Sequence, residues 1–131
     1  MKSIIKILIT ICLLLGFLRA NAQSTWEAPK SADATLNPLK NDQTVIKKGK
    51  TLYLQLCAVC HGDKGKGDGI ASAALNPKAA NFLSEKFQKQ TDGAVFWKLT
   101  EGRAPMASYK ESLSETQRWQ LVSYLKSLKK Q

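Results

Sequence analysis

Cys57, Ala58, Val59, Cys60 and His61 form the stretch of this chain in which residue type and spacing together specify chemistry. Two thiols three positions apart fall on one side of a helical turn. From there both can add across the two vinyl groups of a haem as thioethers, and the histidine that follows can offer a ring nitrogen to the iron. Two other uses of the pattern compete with covalent haem attachment. A structural zinc site wants four nitrogen or sulfur ligands. The chain has three cysteines and one histidine, and Cys12 lies in an apolar N-terminal segment. A thioredoxin-like dithiol would follow a strand in a βαβ pattern, and the chain shows no such alternation.

An iron held by His61 has one axial place left, and few side chains fill it at neutral pH. Beyond the N-terminal segment there is no second histidine and a single methionine, Met106. A thioether is a soft ligand that favours reduced iron and raises the potential. Met106 closes Gly102-Arg103-Ala104-Pro105-Met106, a rigid, non-helical stretch able to aim a side chain inward. The bland alternative is a methionine that only fills the core. With protein ligands on both faces of the iron, electron transfer is the economical function, and the chain reads as a carrier rather than an enzyme. An open or labile sixth position would instead suit a peroxidase-like haem enzyme or a sensor.

The elements that must position these residues are helical. Asp42 or Thr44 can cap a helix whose apolar positions Ile46, Gly49, Tyr53 and Leu56 recur at three- and four-residue steps and lead into Cys57. Four glycines between Gly62 and Gly69 then demand a loop. A phosphate-binding reading of that loop fails, because no strand precedes it and no Gly-Lys-Ser/Thr follows. A short apolar helix is expected over Ile70 to Leu75, broken by Asn76-Pro77. Another runs from Thr91 or Asp92 through Thr100, closed by Gly102, with Val95, Phe96 and Leu99 inward. Trp97 on that helix is either a core aromatic or an indole donor to a haem propionate. Ser114 and Gln117 make a capping box for the last helix, whose stripe is Leu121, Tyr124, Leu125 and Leu128.

Lys2 and Lys6, an apolar run from Ile7 to Leu18 and Ala20-Asn21-Ala22 fit a signal peptide over 1–22, cut to leave Gln23 first. Twelve apolar residues fall short of the roughly 20 that span a bilayer as a helix. The mature chain is therefore expected to be exported, with no transmembrane span. Residues 23–43 lack a sustained period and read as a flexible arm or linker, with residues 44–131 as the folded domain. The 109 mature residues are marginal for a core made of side chains alone, so a buried haem would supply apolar interior. Lysine and arginine number 20 against 10 acidic residues, or 17 against 10 after processing, about +7. Such a surface suits acidic redox partners, though it also serves plain solubility. Scattered lysines without interleaved aromatics argue against nucleic acid.

With these residues in view, the chain resembles a small monohaem class I cytochrome c from about Thr44 to Leu128. The matching pieces are Gly49 and Tyr53, Cys57-x-x-Cys60-His61-Gly62, Gly65-x-Gly67-Asp68-Gly69, Leu75-x-Pro77, Gly102-x-x-Pro105-Met106 and Arg118-Trp119-x-Leu121-Val122-x-Tyr124-Leu125. The resemblance implies an all-α fold of three to five helices around one covalently attached haem c, with Gly49 and Tyr53 meeting Leu121 and Tyr124 where the first and last helices cross. It implies His61 and Met106 as axial ligands and Cys57 and Cys60 as the anchors. A proline carbonyl is expected to orient His61 through its other ring nitrogen, with Pro77 the first candidate and Pro105 the second. It further implies a periplasmic carrier between a quinol-oxidising complex or dehydrogenase and a terminal oxidase or reductase. A peripheral or subunit role in a larger respiratory complex is the nearest variant.

Overall fold

The computed structural model describes residues 26–128; the expected signal peptide and Cys12 lie outside the described residues. Among the described residues six α-helices follow one another: α1 (Lys30–Asp33), α2 (Gln43–Leu56), α3 (Ala58–His61), α4 (Glu85–Gln88), α5 (Asp92–Glu101) and α6 (Glu115–Ser127). A 3-10 turn at Ser72–Ala74 sits between α3 and α4. Three of the six are single turns of four residues, so the count exceeds the expected three to five while the long helices are the expected ones. Among the described residues the one β feature is an isolated bridge between Arg103 and Met106.

Each long helix begins at a side-chain cap. Asp42 Oδ1 accepts from the amides of Thr44 and Val45 at 2.8 and 3.2 Å, starting α2. Thr91 Oγ1 accepts from the Ala94 amide at 3.0 Å, starting α5, which stops at Gly102 with φ 65. Ser114 and Gln117 form the expected capping box at α6, each side chain accepting from the other's backbone amide. Such caps satisfy amides that have no partner within the helix.

The core is built on α2 against α6, with α5 packed across α6. On α2 the buried positions are Val45, Gly49 and Tyr53, a four-residue repeat; Ile46 only flanks the core and Leu56 is exposed. Gly49 permits the contact: a Cβ there would lie 2.0 Å from the Gln120 carbonyl oxygen and 2.9 Å from the Tyr124 Cβ. The α6 backbone therefore occupies the volume that any side chain at position 49 would need. One turn on, the Tyr53 and Tyr124 rings meet at 5.1 Å, and Tyr53, Leu121 and Val122 are fully buried. Phe96 of α5 stacks on Trp119 at 4.0 Å, whereas Trp97 stays half-buried.

Two expectations differ from the structure. The helix over Ile70 to Leu75 shrinks to the 3-10 turn, and Ile70 is 92 % exposed, because the glycine loop carries it away from the core. Residues 26–43, expected as a flexible arm, pack on the domain instead. Gly93 of α5 lies so close to α1 that an added Cβ would meet the Ala32 carbonyl oxygen at 2.0 Å. Asn37 Nδ2 donates to Asp92 Oδ2 at 3.0 Å and to Ser123 Oγ at 3.1 Å, and Thr91 Oγ1 donates to Asp33 Oδ1 at 2.7 Å.

Replacing Gly49 should therefore reverse the usual ranking of helix formers. Alanine gains about 1 kcal/mol of propensity in a helix interior, but here it forces two backbones apart, which costs about 1–3 kcal/mol or more. Gly49→Ala is expected to lower the denaturant midpoint, and Gly49→Val to lower it further.

Candidate functional site

The site begins where α2 ends. Cys57 closes α2, its amide donating to the Tyr53 carbonyl at 2.8 Å, and opens the single turn α3. Its own carbonyl accepts from the amides of Cys60 at 3.2 Å and His61 at 2.9 Å. The turn thus fixes both cysteines and the histidine on one backbone ring, as their spacing requires. Both cysteines are free thiols, Cys57 buried and Cys60 half-buried. Burial pushes the Cys57 thiol up to about 11, with the neighbouring Tyr109 hydroxyl opposing the rise.

Gly62 ends the turn at φ 77, a backbone angle that disfavours any side chain, and a Cβ there would collide with Asp68 Oδ1. The glycine loop then folds back over α3. The Gly67 amide donates to the His61 carbonyl at 2.8 Å, Gly69 to Cys60 at 3.2 Å and Ala71 to Val59 at 2.9 Å. Tyr53 locks the same corner from below, its hydroxyl donating to the Gly62 carbonyl at 2.5 Å. Burial holds that phenol well above its ordinary pKa, so it stays a donor.

His61 is positioned from two sides. Its Nδ1 lies 3.0 Å from the Ala80 carbonyl oxygen, and its ring stacks on Phe82 with centroids 4.3 Å apart and planes 21° off parallel. A carbonyl can only accept, so Nδ1 carries the proton and Nε2 keeps its lone pair. Burial lowers the imidazole pKa below its usual value, with the Ala80 hydrogen bond opposing, which favours that neutral ring. The partner expected here was Pro77, then Pro105. Both are exposed, and the carbonyl that meets the ring belongs to Ala80, three residues after Pro77. Phe82 is held by its amide donating to the Gly65 carbonyl at 2.7 Å.

Met106 lies on the loop between α5 and α6, half-buried against the core cluster. Arg103 and Met106 exchange both backbone hydrogen bonds, 3.1 and 2.9 Å, closing the four-residue turn that contains Pro105. The loop is tied to the end of α5 by the Tyr109 amide to the Leu99 carbonyl at 3.0 Å and by Ser108 Oγ to the Thr100 carbonyl at 2.6 Å. Tyr109 also reaches the other half of the site, donating to the Leu56 carbonyl at 3.3 Å beside Cys57. Arg118 of α6 supports this loop through the Lys110 carbonyl at 3.0 Å while stacking over Phe96. Ala80, Phe82 and Tyr109 were absent from the sequence reading. A backbone carbonyl leaves no mark on sequence, and neither aromatic sits in a spaced motif.

The donor set fits a covalently held haem. It comprises two free thiols on one turn, a neutral imidazole with one nitrogen engaged, and a thioether on a separate closed loop. Among the described residues no group of three or more histidine, cysteine or acidic side chains could hold a metal ion by itself.

The family model described as Cytochrome c matches residues 46–129, and the chain belongs to the cytochrome c family. Among solved structures it is similar to a chain of the Kuenenia stuttgartiensis reducing HAO-like protein complex Kustc0457/Kustc0458, at 30 % identity and TM-score 0.64. That match covers 71 % of this chain and 47 % of the other, so the chain spans about half the length of that relative. It is likewise similar to the KustC0563 c-type cytochrome, at 30 % identity and TM-score 0.55, over 63 % of this chain and 98 % of the other. No curated protein sequence matches. The protein is thus a haem-based redox protein with the all-α cytochrome c fold, and the family implies covalently bound haem c.

The Tyr53 hydroxyl joins the α2–α6 core to the motif turn, so its loss should be felt in both. Tyr53→Phe is expected to cost about 1–2 kcal/mol of stability, since the Gly62 carbonyl loses the buried hydroxyl and keeps only the Gly65 amide at 3.0 Å. Chemical denaturation of the two proteins measures it.

Proposed function

We propose that the protein is an exported, periplasmic electron carrier. In this reading Cys57 and Cys60 hold one haem c per chain through thioethers, and His61 and Met106 are the axial ligands. The observation that carries the reading is the His61 ring, whose Nδ1 is engaged by Ala80 and whose plane is set by Phe82, leaving Nε2 as the coordinating atom. A ligating histidine with its second nitrogen fixed is a more basic and better oriented donor.

The haem, when bound, supplies a one-electron ferrous/ferric couple. What the chain adds is restraint. The turn α3 fixes three of the four bonding residues on consecutive backbone hydrogen bonds, and the closed turn at Met106 brings the fourth from the opposite loop. Two protein ligands leave no position for substrate, which separates this reading from a peroxidase-like enzyme or a sensor. The surplus of lysine and arginine favours encounter with acidic redox partners. Among the described residues no helix is long and apolar enough to cross a membrane. A second reading, a haem subunit of a larger redox assembly, is favoured by the likeness to a chain of the HAO-like complex.

The mature chain, expressed with haem-attachment machinery, should keep its haem on denaturation. Its ferric form should show the weak far-red band of an iron–methionine sulfur bond. Met106→Ala should abolish that band, open the iron to cyanide and lower the midpoint potential by more than about 60 mV, a tenfold shift of a one-electron couple. Covalent haem without the band in the parent protein would move the reading to a ligand-binding or catalytic haem.

A further inference from the structure

The N-terminal segment reaches the loop that carries Met106. Trp26, half-buried, lies beneath two cations: the Arg103 guanidinium carbon is 5.2 Å from its ring centroid and Lys98 Nζ is 5.6 Å away. Lys98 belongs to α5, and Arg103 opens the turn that its backbone closes with Met106. The ring therefore spans from a core helix to the first residue of the Met106 turn. The position of Trp26 is itself fixed, because α1 starts four residues later and is seated on Gly93, with Asn37 and Asp33 bonded to α5 and α6 residues or their caps. Arg103, Ala104 and Pro105 are all exposed, so the turn's outer side faces solvent rather than core. Restraint from outside has most effect on such a segment.

We propose that Trp26 is a positioning residue for Met106: by holding Arg103 through its ring face, it keeps the 103–106 turn closed and the methionine sulfur on the iron. The inference rests on the reading of Met106 as axial ligand. The mechanism is a coupled equilibrium. An open turn, with Met106 away from the iron, must also lose the Arg103 contact, so the contact suppresses the open population by its own strength. Tryptophan offers the most favourable ring face for a cation, phenylalanine a weaker one, and an aliphatic side chain of similar reach offers none. This separates a cation–ring contact from mere apolar cover.

The test uses the full mature holoprotein and cyanide as the probe of the sixth position in the ferric state. Trp26→Ala and Trp26→Leu are each expected to raise the apparent cyanide affinity about fivefold, while Trp26→Phe stays within about twofold of the parent. Arg103→Gln, which removes the guanidinium and leaves the ring with Lys98 over it, should match Trp26→Ala, since the Arg103 contact is the one that holds the turn. Hydrogen exchange of the Met106 amide, which donates to the Arg103 carbonyl at 2.9 Å, should rise by a similar factor in the same variants. That readout does not depend on the iron. Equal cyanide affinity and equal exchange across all four variants, with the iron–sulfur band present in each, would overturn the proposal and leave the axial assignment standing. A parent protein without that band, binding cyanide as Met106→Ala does, would overturn the axial assignment and this inference together.

Discussion

The contact between the backbone of α6 and the missing side chain of Gly49 is the constraint on which the rest is built. With a Cβ excluded by the Gln120 carbonyl at 2.0 Å, the two helices meet at backbone distance rather than side-chain distance. That places Tyr53, one turn later, within ring contact of Tyr124 and beneath the Gly62 carbonyl. The end of α2 is Cys57, so the crossing also sets where the motif turn stands relative to the core. A glycine with poor helix propensity is thus the element that joins fold to site: its propensity cost is about 1 kcal/mol, and the burial of Tyr53, Leu121 and Val122 that it permits is worth about 1.5–3 kcal/mol for each large apolar side chain.

What was legible in the sequence follows from how local each device is. Cys57, Cys60 and His61 are readable because the chemistry needs them on one turn, and a turn is a run of consecutive residues. The starts of α2, α5 and α6 are readable because Asp42, Thr91 and Ser114 act on amides two or three positions away. Ala80 was not readable: its contribution is a carbonyl oxygen 19 residues from His61, and any residue type could supply it. Proline was the expectation that the family resemblance implied, but the carbonyl at the ring is that of Ala80 and not of Pro77 or Pro105. Ile70 misled in the opposite sense, as an apolar side chain that hydropathy would bury and the glycine loop leaves outside.

The N-terminal segment illustrates the same limit at longer range. Between Trp26 and Gln43 the composition has no helical period, because what holds the segment is not an apolar stripe. Carbonyl oxygens of Ala32 and Thr35 lie on a glycine, and Asn37 bridges to residues 55 and 86 positions further on. Contacts of this kind depend on the partner surface already being folded. A polar, proline-containing segment can therefore look like a linker in sequence and act as part of the body in structure.

The two sides of the proposed coordination are restrained unequally, and the inequality has a functional sense. On the histidine side the turn is held by consecutive backbone hydrogen bonds, the ring by a carbonyl and an aromatic face, and the corner by the Tyr53 hydroxyl. On the methionine side a four-residue turn is closed by two backbone bonds, with its outer residues in solvent. Any fluctuation that separates a ligand from the metal will thus begin at the loop rather than at the motif, since less structure must be disrupted to open it. In the proposed coordination the anchoring thiols of Cys57 and Cys60 would belong to the rigid side, so such an opening would leave the cofactor in place. On that proposal such a fold would tolerate change in its sixth ligand without losing its haem, and the strength with which the loop is fastened would set whether the centre behaves as a closed carrier.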